Sequence, residues 1–146
     1  MPWACGARQP PRRGCARAEV CGSIALSGHL GGGPPGEAPS RALRAALRAA
    51  VRRALAEALA PAASGLQVSV FPPEVDVGLA GSNGRLATLN FMFEIAFPDP
   101  HDLGPVREVL NLEVAYGGAV RVLPALAREA PLGFSQLSLH LQVLDR

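Results

Sequence analysis

Lysine is missing altogether. All 14 basic residues are arginine, and the 146-residue chain has one Trp, one Tyr and two Met. With Ala, Gly, Arg and Pro all abundant, a GC-rich coding sequence accounts for the lysine deficit, so it is not read as chemistry. Long apolar runs are missing too. The richest window, Leu86 to Phe97, is broken by Thr88, Asn90 and Glu94, whereas a membrane helix needs about 20 consecutive apolar residues. The chain is therefore expected not to span a bilayer by itself. Also absent are a Gly-rich phosphate loop, HExxH, GxSxG and a paired CxxC, the short patterns that commonly carry catalysis. No Asn-x-Ser/Thr sequon occurs, and the start lacks the apolar run of about 7–15 residues that a secretory signal requires.

Only three cysteines are present, Cys5, Cys15 and Cys21. Their spacing fits neither paired CxxC nor a Cys/His zinc pattern. His29 is a distant fourth candidate ligand, but the plainer reading leaves them as thiols of a tail, with no metal expected. An odd number disfavours a closed disulfide set, since a Cys15–Cys21 bridge would leave Cys5 over.

What is present is a 49% hydrophobic chain, long enough for one domain and a tail but too short for a second core. Residues 1–19 read as a disordered basic leader and 20–146 as a single domain, with GGGPPGEAP at 31–39 as a flexible connector. Charge is unevenly divided. Residues 1–60 hold nine Arg against three acids and residues 61–146 five against nine, so the halves carry +6 and −4.

Val20 to Leu30 is a candidate strand, weakened by Gly22 and Gly28. Ser40 then caps the clearest helix, which runs to Ala60 and is stopped by Pro61. Leu43, Leu47, Val51, Leu55 and Leu59 recur every four residues beside a row of alanines, while Arg44, Arg48 and Arg52 line another face. With Arg53, these arginines are the candidate site for an anionic partner, because Arg suits bidentate contact with phosphate or carboxylate. The competing reading is a solvated basic face.

Leu66, Val68 and Val70 alternate as a strand, and Pro72-Pro73 interrupts before Val75, Val77 and Leu79 resume, which implies an edge or bulged strand. Gly81-Ser82-Asn83-Gly84 predicts a hairpin turn. It leads into the best strand, Leu89 to Phe97, whose odd positions form an aromatic and aliphatic wall. Asp102 is expected to cap a helix entered through Pro105 and ended at Gly117. Residues 108–123 also alternate, so a second hairpin competes there, with the helix preferred on its start signals. A further helical piece over 119–130 is expected to bend or break at Pro124, and Leu137 to Val143 gives a last strand with one wet face. His101 with Asp99 and Asp102 forms a polar cluster that capping explains without catalysis; no catalytic residue and no cofactor is expected.

The order strand, helix, two-stranded hairpin, helix, strand predicts an α+β fold: a four-stranded antiparallel sheet with helices packed on one face, a ferredoxin-like or SEA-like sandwich. At GSIALSGHL, the Ala/Leu helix, LQVSV, GSNG, RLATLNFMFEIAF, PDPHDLGPVREVL and FSQLSLHLQVLD, the chain resembles the SEA domain in order and lengths over residues 20–144. That resemblance implies a non-enzymatic interaction or structural module of a cell-surface or extracellular protein. It also implies a cleavage-turn position at Gly81-Ser82. In self-cleaving SEA domains a β-branched run follows the Ser, and here Asn83-Gly84-Arg85 follow instead. Strain drives that chemistry, so the turn is expected to be vestigial and non-cleaving. The partner is expected to be a protein or a cell-surface glycoconjugate. The alternative is a cytoplasmic or mitochondrial ferredoxin-like binding domain that holds an anionic partner on the basic helix. Nucleic acid is disfavoured because Phe91 and Phe93 share the core face.

Overall fold

The computed structural model describes residues 18–31, 38–79, 85–129 and 134–144. The expected leader up to residue 17, most of the Gly/Pro connector, Cys5, Cys15 and the Gly81-Ser82 turn lie outside them.

The fold is α+β. Strand β1 (Ala18–Leu30) is followed by helix α1 (Arg41–Leu59), strands β2 (Gln67–Val70), β3 (Glu74–Leu79) and β4 (Arg85–Phe97), helices α2 (Leu103–Ala115) and α3 (Val122–Glu129), and strand β5 (Phe134–Leu144). The sheet is antiparallel, in the order β2-β4-β1-β5, with β3 also paired to β4. Pro72-Pro73 splits one strand position into two segments. β2 lies against the C-terminal half of β4 and β3 against its N-terminal half. Four strand positions thus contain five segments, and the divided one is an edge, as the prolines imply. β1 and β2 run parallel with β4 between them, the split βαβ arrangement. β3 and β4 pair through Leu79 and Arg85, consistent with a hairpin there.

One sheet face carries all three helices. From β4 it receives Leu89, Phe91, Phe93, Ile95 and Phe97, each fully buried, and from α1 it receives Leu47, Val51, Leu55 and Leu59. Ala50, Ala54 and Ala58 fill the flank of that stripe and are buried as well. Small residues there let the helix approach the sheet closely. Ser40 caps α1, its Oγ accepting from the Leu43 N–H at 3.1 Å.

The glycines that weaken β1 on propensity are packing requirements. Gly22 pairs with Phe93 across the ladder, and a Cβ on Gly22 would stand 2.8 Å from Phe93 Cζ and collide with the Gln142 carbonyl. The ring occupies the space a side chain would take. β1 is accordingly a 13-residue central strand.

Several local expectations are corrected. Asp99, not Asp102, does the capping: its carboxylate accepts from the His101 N–H at 2.9 Å and caps a short 3-10 turn over 100–102. Asp102 sits in helical backbone and makes no side-chain cap bond. Pro124 neither bends nor breaks a helix, because it is the third residue of α3, in the first turn, where a missing N–H costs nothing. Residues 108–115 are helical, and among the described residues no strand forms between β4 and β5. Gly117 and Gly118, at φ +61° and +78°, end α2. The Gly118 N–H donates to the Glu113 carbonyl and the Gly117 N–H to that of Val114, a Schellman closure.

The uncovered sheet face is polar at one end, where Ser27 and Thr88 share a 2.8 Å hydroxyl hydrogen bond. At its other end Cys21, Glu94 and Ala96 are buried. Cys21 is disulfide-bonded, so the reading of all three cysteines as tail thiols does not hold for that residue. Among the described residues no helix is long and apolar enough to cross a membrane.

Candidate functional site

The basic row of α1 divides by its neighbours. Arg48 lies beside the edge strand, and its Nε donates to the Val70 carbonyl at 2.6 Å. Arg52, one turn on, is exposed and shares with Arg48 the wall of a cleft of about 510 Å³, whose other wall is Val68, Ser69, Val70 and Phe71. Arg44 continues the row one turn before Arg48 but does not line the cleft. Arg53 is rotated toward α3 and pairs with Glu129 at 2.5 Å. Glu57, one turn later, pairs with Arg128. These two crossed pairs bind α1 to α3, so the Arg53 charge is already neutralised. The structure therefore brings Arg48 and Arg52 together on one cleft and sends Arg53 elsewhere. Among the described residues neither Arg44 nor Arg52 has an ion-pair partner.

The cleft exists because the link from α1 to β2 is short. Residues 60–66 turn the chain back at once, which sets β2 beside the helix that precedes it. The basic row can be read from sequence, but its juxtaposition with a sheet edge depends on that return. Two guanidiniums can hold a carboxylate, sulfate or phosphate by donating to it, and the backbone groups of Val68 and the Val70 N–H beside them can form ladder hydrogen bonds with an extended chain.

Glu113 is a buried carboxylate that the sequence reading does not single out. It is 1% exposed and accepts from the Val122 N–H at 3.3 Å, so the end of α2 caps the start of α3. Its Oε2 has no hydrogen-bond partner. Burial raises the Glu113 carboxyl above its ordinary value, opposed by the backbone N–H groups of Val122, Arg121 and Val120 and by the Arg121 charge. The signal was present in the stripe Val106, Leu110, Glu113, which follows the helical period of the buried face.

A group with a raised folded pKa binds more protons folded than unfolded. Stability is therefore expected to fall as pH rises from about the ordinary value of 4.5 through the raised one, then level off. Glu113→Gln should remove that part of the slope while keeping an acceptor for the cap. Glu113→Ala, which removes the acceptor, should cost about 1–2 kcal/mol. Urea denaturation between pH 4 and pH 8 measures both.

Elsewhere, Asp99 is held below the usual carboxylate range by the His101 backbone N–H and then by its ring, whose Nδ1 lies 2.9 Å away. Both are exposed. His29 and His140 lie on the uncovered sheet face, paired in register with Ser135 and Ala25. No group of three His, Cys, Asp or Glu placed to hold a metal occurs among the described residues.

No protein-family model matches the chain, and no curated protein matches it. Solved structures do. An amidase of the hydantoinase/carbamoylase family from Burkholderia phymatum matches at 15% identity and TM-score 0.40, over 89% of this chain and 29% of that one. An amidase of the same family from Burkholderia ambifaria matches at 12% identity and TM-score 0.40, over 88% and 28%. An aminobenzoyl-glutamate utilization protein from Klebsiella pneumoniae matches at 15% identity and TM-score 0.38, over 88% and 28%. The match spans under a third of the length of each of these proteins.

Proposed function

We propose that this chain is a non-enzymatic, SEA-like interaction module of a cell-surface or extracellular protein, and that its working surface is the cleft between α1 and β2. The observation that carries this reading is the pairing of Arg48 and Arg52 at an open sheet edge, while Phe91, Phe93 and Phe97 are sealed in the core. The large apolar rings hold the fold together, and the charged cleft is left outward for recognition. The disulfide at Cys21 supports an oxidising compartment, because structural disulfides persist in secreted and surface proteins and are rare in the cytosol.

Fractionation of the endogenous protein, with thiol alkylation before lysis, tests the compartment. A surface or secreted pool with Cys21 protected from alkylation is expected; a cytosolic pool with Cys21 alkylated would overturn that part of the reading. The non-cleaving assignment of Gly81-Ser82 predicts one full-length band on a denaturing gel of folded purified protein. Two fragments joining near residue 81, abolished by Ser82→Ala, would contradict it.

A second reading, an intracellular ferredoxin-like domain holding an anionic polymer such as RNA, is favoured by the same two arginines. Its mark would be binding that weakens steeply with salt. Ser23, Ala25, Ser27, Thr88 and Asn90 of the uncovered sheet face carry no ring, so on this reading stacking would fall to the imidazoles of His29 and His140 on the same face.

A further inference from the structure

We propose that the α1/β2 cleft receives an extended peptide segment, which adds to the sheet as a strand outside β2 and places two acidic side chains, two residues apart, on Arg48 and Arg52. This rests on the reading of that cleft as the working surface.

Among the described strands β2 pairs only with β4 and forms one edge of the sheet. The Phe71 N–H donates to the Met92 carbonyl. In the antiparallel register Val70↔Phe93, this turns the backbone groups of Val68 and Val70 away from β4, toward the open edge. Of these outward groups, the Val70 carbonyl is taken by Arg48. The Val68 N–H, the Val68 carbonyl and the Val70 N–H face the cleft, enough for three ladder hydrogen bonds to an added strand. Pro72 has no N–H, so the edge ends there and fixes the register.

Charge and spacing name the occupant. Arg48 and Arg52 are four residues apart on a helix, a rise of about 6 Å. Alternate side chains on one face of a strand are about 6.6–6.8 Å apart, so acids at i and i+2 of the added strand match the two guanidiniums. Arg48 spends one donor of its five on Val70, leaving the rest of its fork for a carboxylate. Ala49, the cleft residue between them, keeps that wall low.

The test is isothermal titration of the full chain with the capped hexapeptide Thr-Glu-Val-Glu-Val-Thr. Binding is expected. It should weaken about tenfold with Arg52→Ala, or when both peptide glutamates become glutamines. Arg52 is exposed, so the variant should fold, which circular dichroism checks. N-methylation of the edge-facing peptide amides should abolish binding at unchanged charge, whereas methylation of the alternate amides should leave it. Equal binding of both methylated peptides would overturn strand addition. If a heparin hexasaccharide binds through Arg52 and the peptide does not bind, the peptide proposal falls and the cleft remains the working surface. If neither binds, both fall.

Discussion

Phe93→Ala is expected to lower the unfolding free energy by about 3–5 kcal/mol, the range for deleting a buried aromatic ring and leaving a cavity. Phe93 is 0% exposed and sits at the centre of β4, the strand that pairs with three others. Its neighbours are held by ladders on both sides and cannot collapse into the space. A domain of this size is stable by about 5–15 kcal/mol, so this one change should remove a large share of the total. Urea denaturation followed by circular dichroism measures it, with an unchanged slope expected if only the native state is affected. Met92, the next residue, lies on the other sheet face and is half-buried; Met92→Ala should cost much less.

Gly22→Ala is the second large effect, and its cause is opposite. The added methyl meets the Gln142 carbonyl on one side and the Phe93 ring on the other. One obstacle is backbone of β5 and the other is a locked core ring, so neither yields easily. Overpacking of this kind costs about 1–3 kcal/mol, and here the upper end is expected. Phe93→Leu should relieve part of the clash, so the double variant should be more stable than the sum of the single losses by about 1 kcal/mol. Gly78→Ala is the control. Nothing lies within 4 Å of a Cβ there, and the change should be nearly neutral or slightly stabilising.

The elements that follow a strong local pattern could be read from the amino acids. The Ser40 cap, the four-residue Leu stripe, the alternation of β4 and the break at Pro72-Pro73 each identify an element, and their order gives the split βαβ sheet. Features that depend on contacts between distant residues could not. Gly22 looks like a defect on strand propensity because its partner, Phe93, is 71 positions away and is visible only once the register is known. Pro124 looks like a kink because its effect depends on where the helix starts, and α3 starts two residues earlier. Asp99 and Asp102 both suit capping, and only backbone geometry chooses between them.

The candidate site divides in the same way. The row Arg44, Arg48, Arg52 is plain in the helical period, but the opposing wall of Val68 to Phe71 is not. In the helical period Arg53 is equivalent to its neighbours, and only Glu129 of α3, placed beside it by the fold, sets it apart. Glu113 lies on the buried stripe of α2, yet its role as a cap for α3 requires the two helices to meet across the Gly117-Gly118 turn.

Amide chemical shifts of the isotopically labelled chain, titrated with the acidic hexapeptide, test most directly where this protein makes its contacts. Shifts confined to the Val68 to Phe71 edge and the adjoining turn of α1 around Ala49 and Arg52 are expected. Shifts centred on Ser23, Ser27 and Asn90 of the uncovered sheet face, with the β2 edge silent, would contradict the assignment.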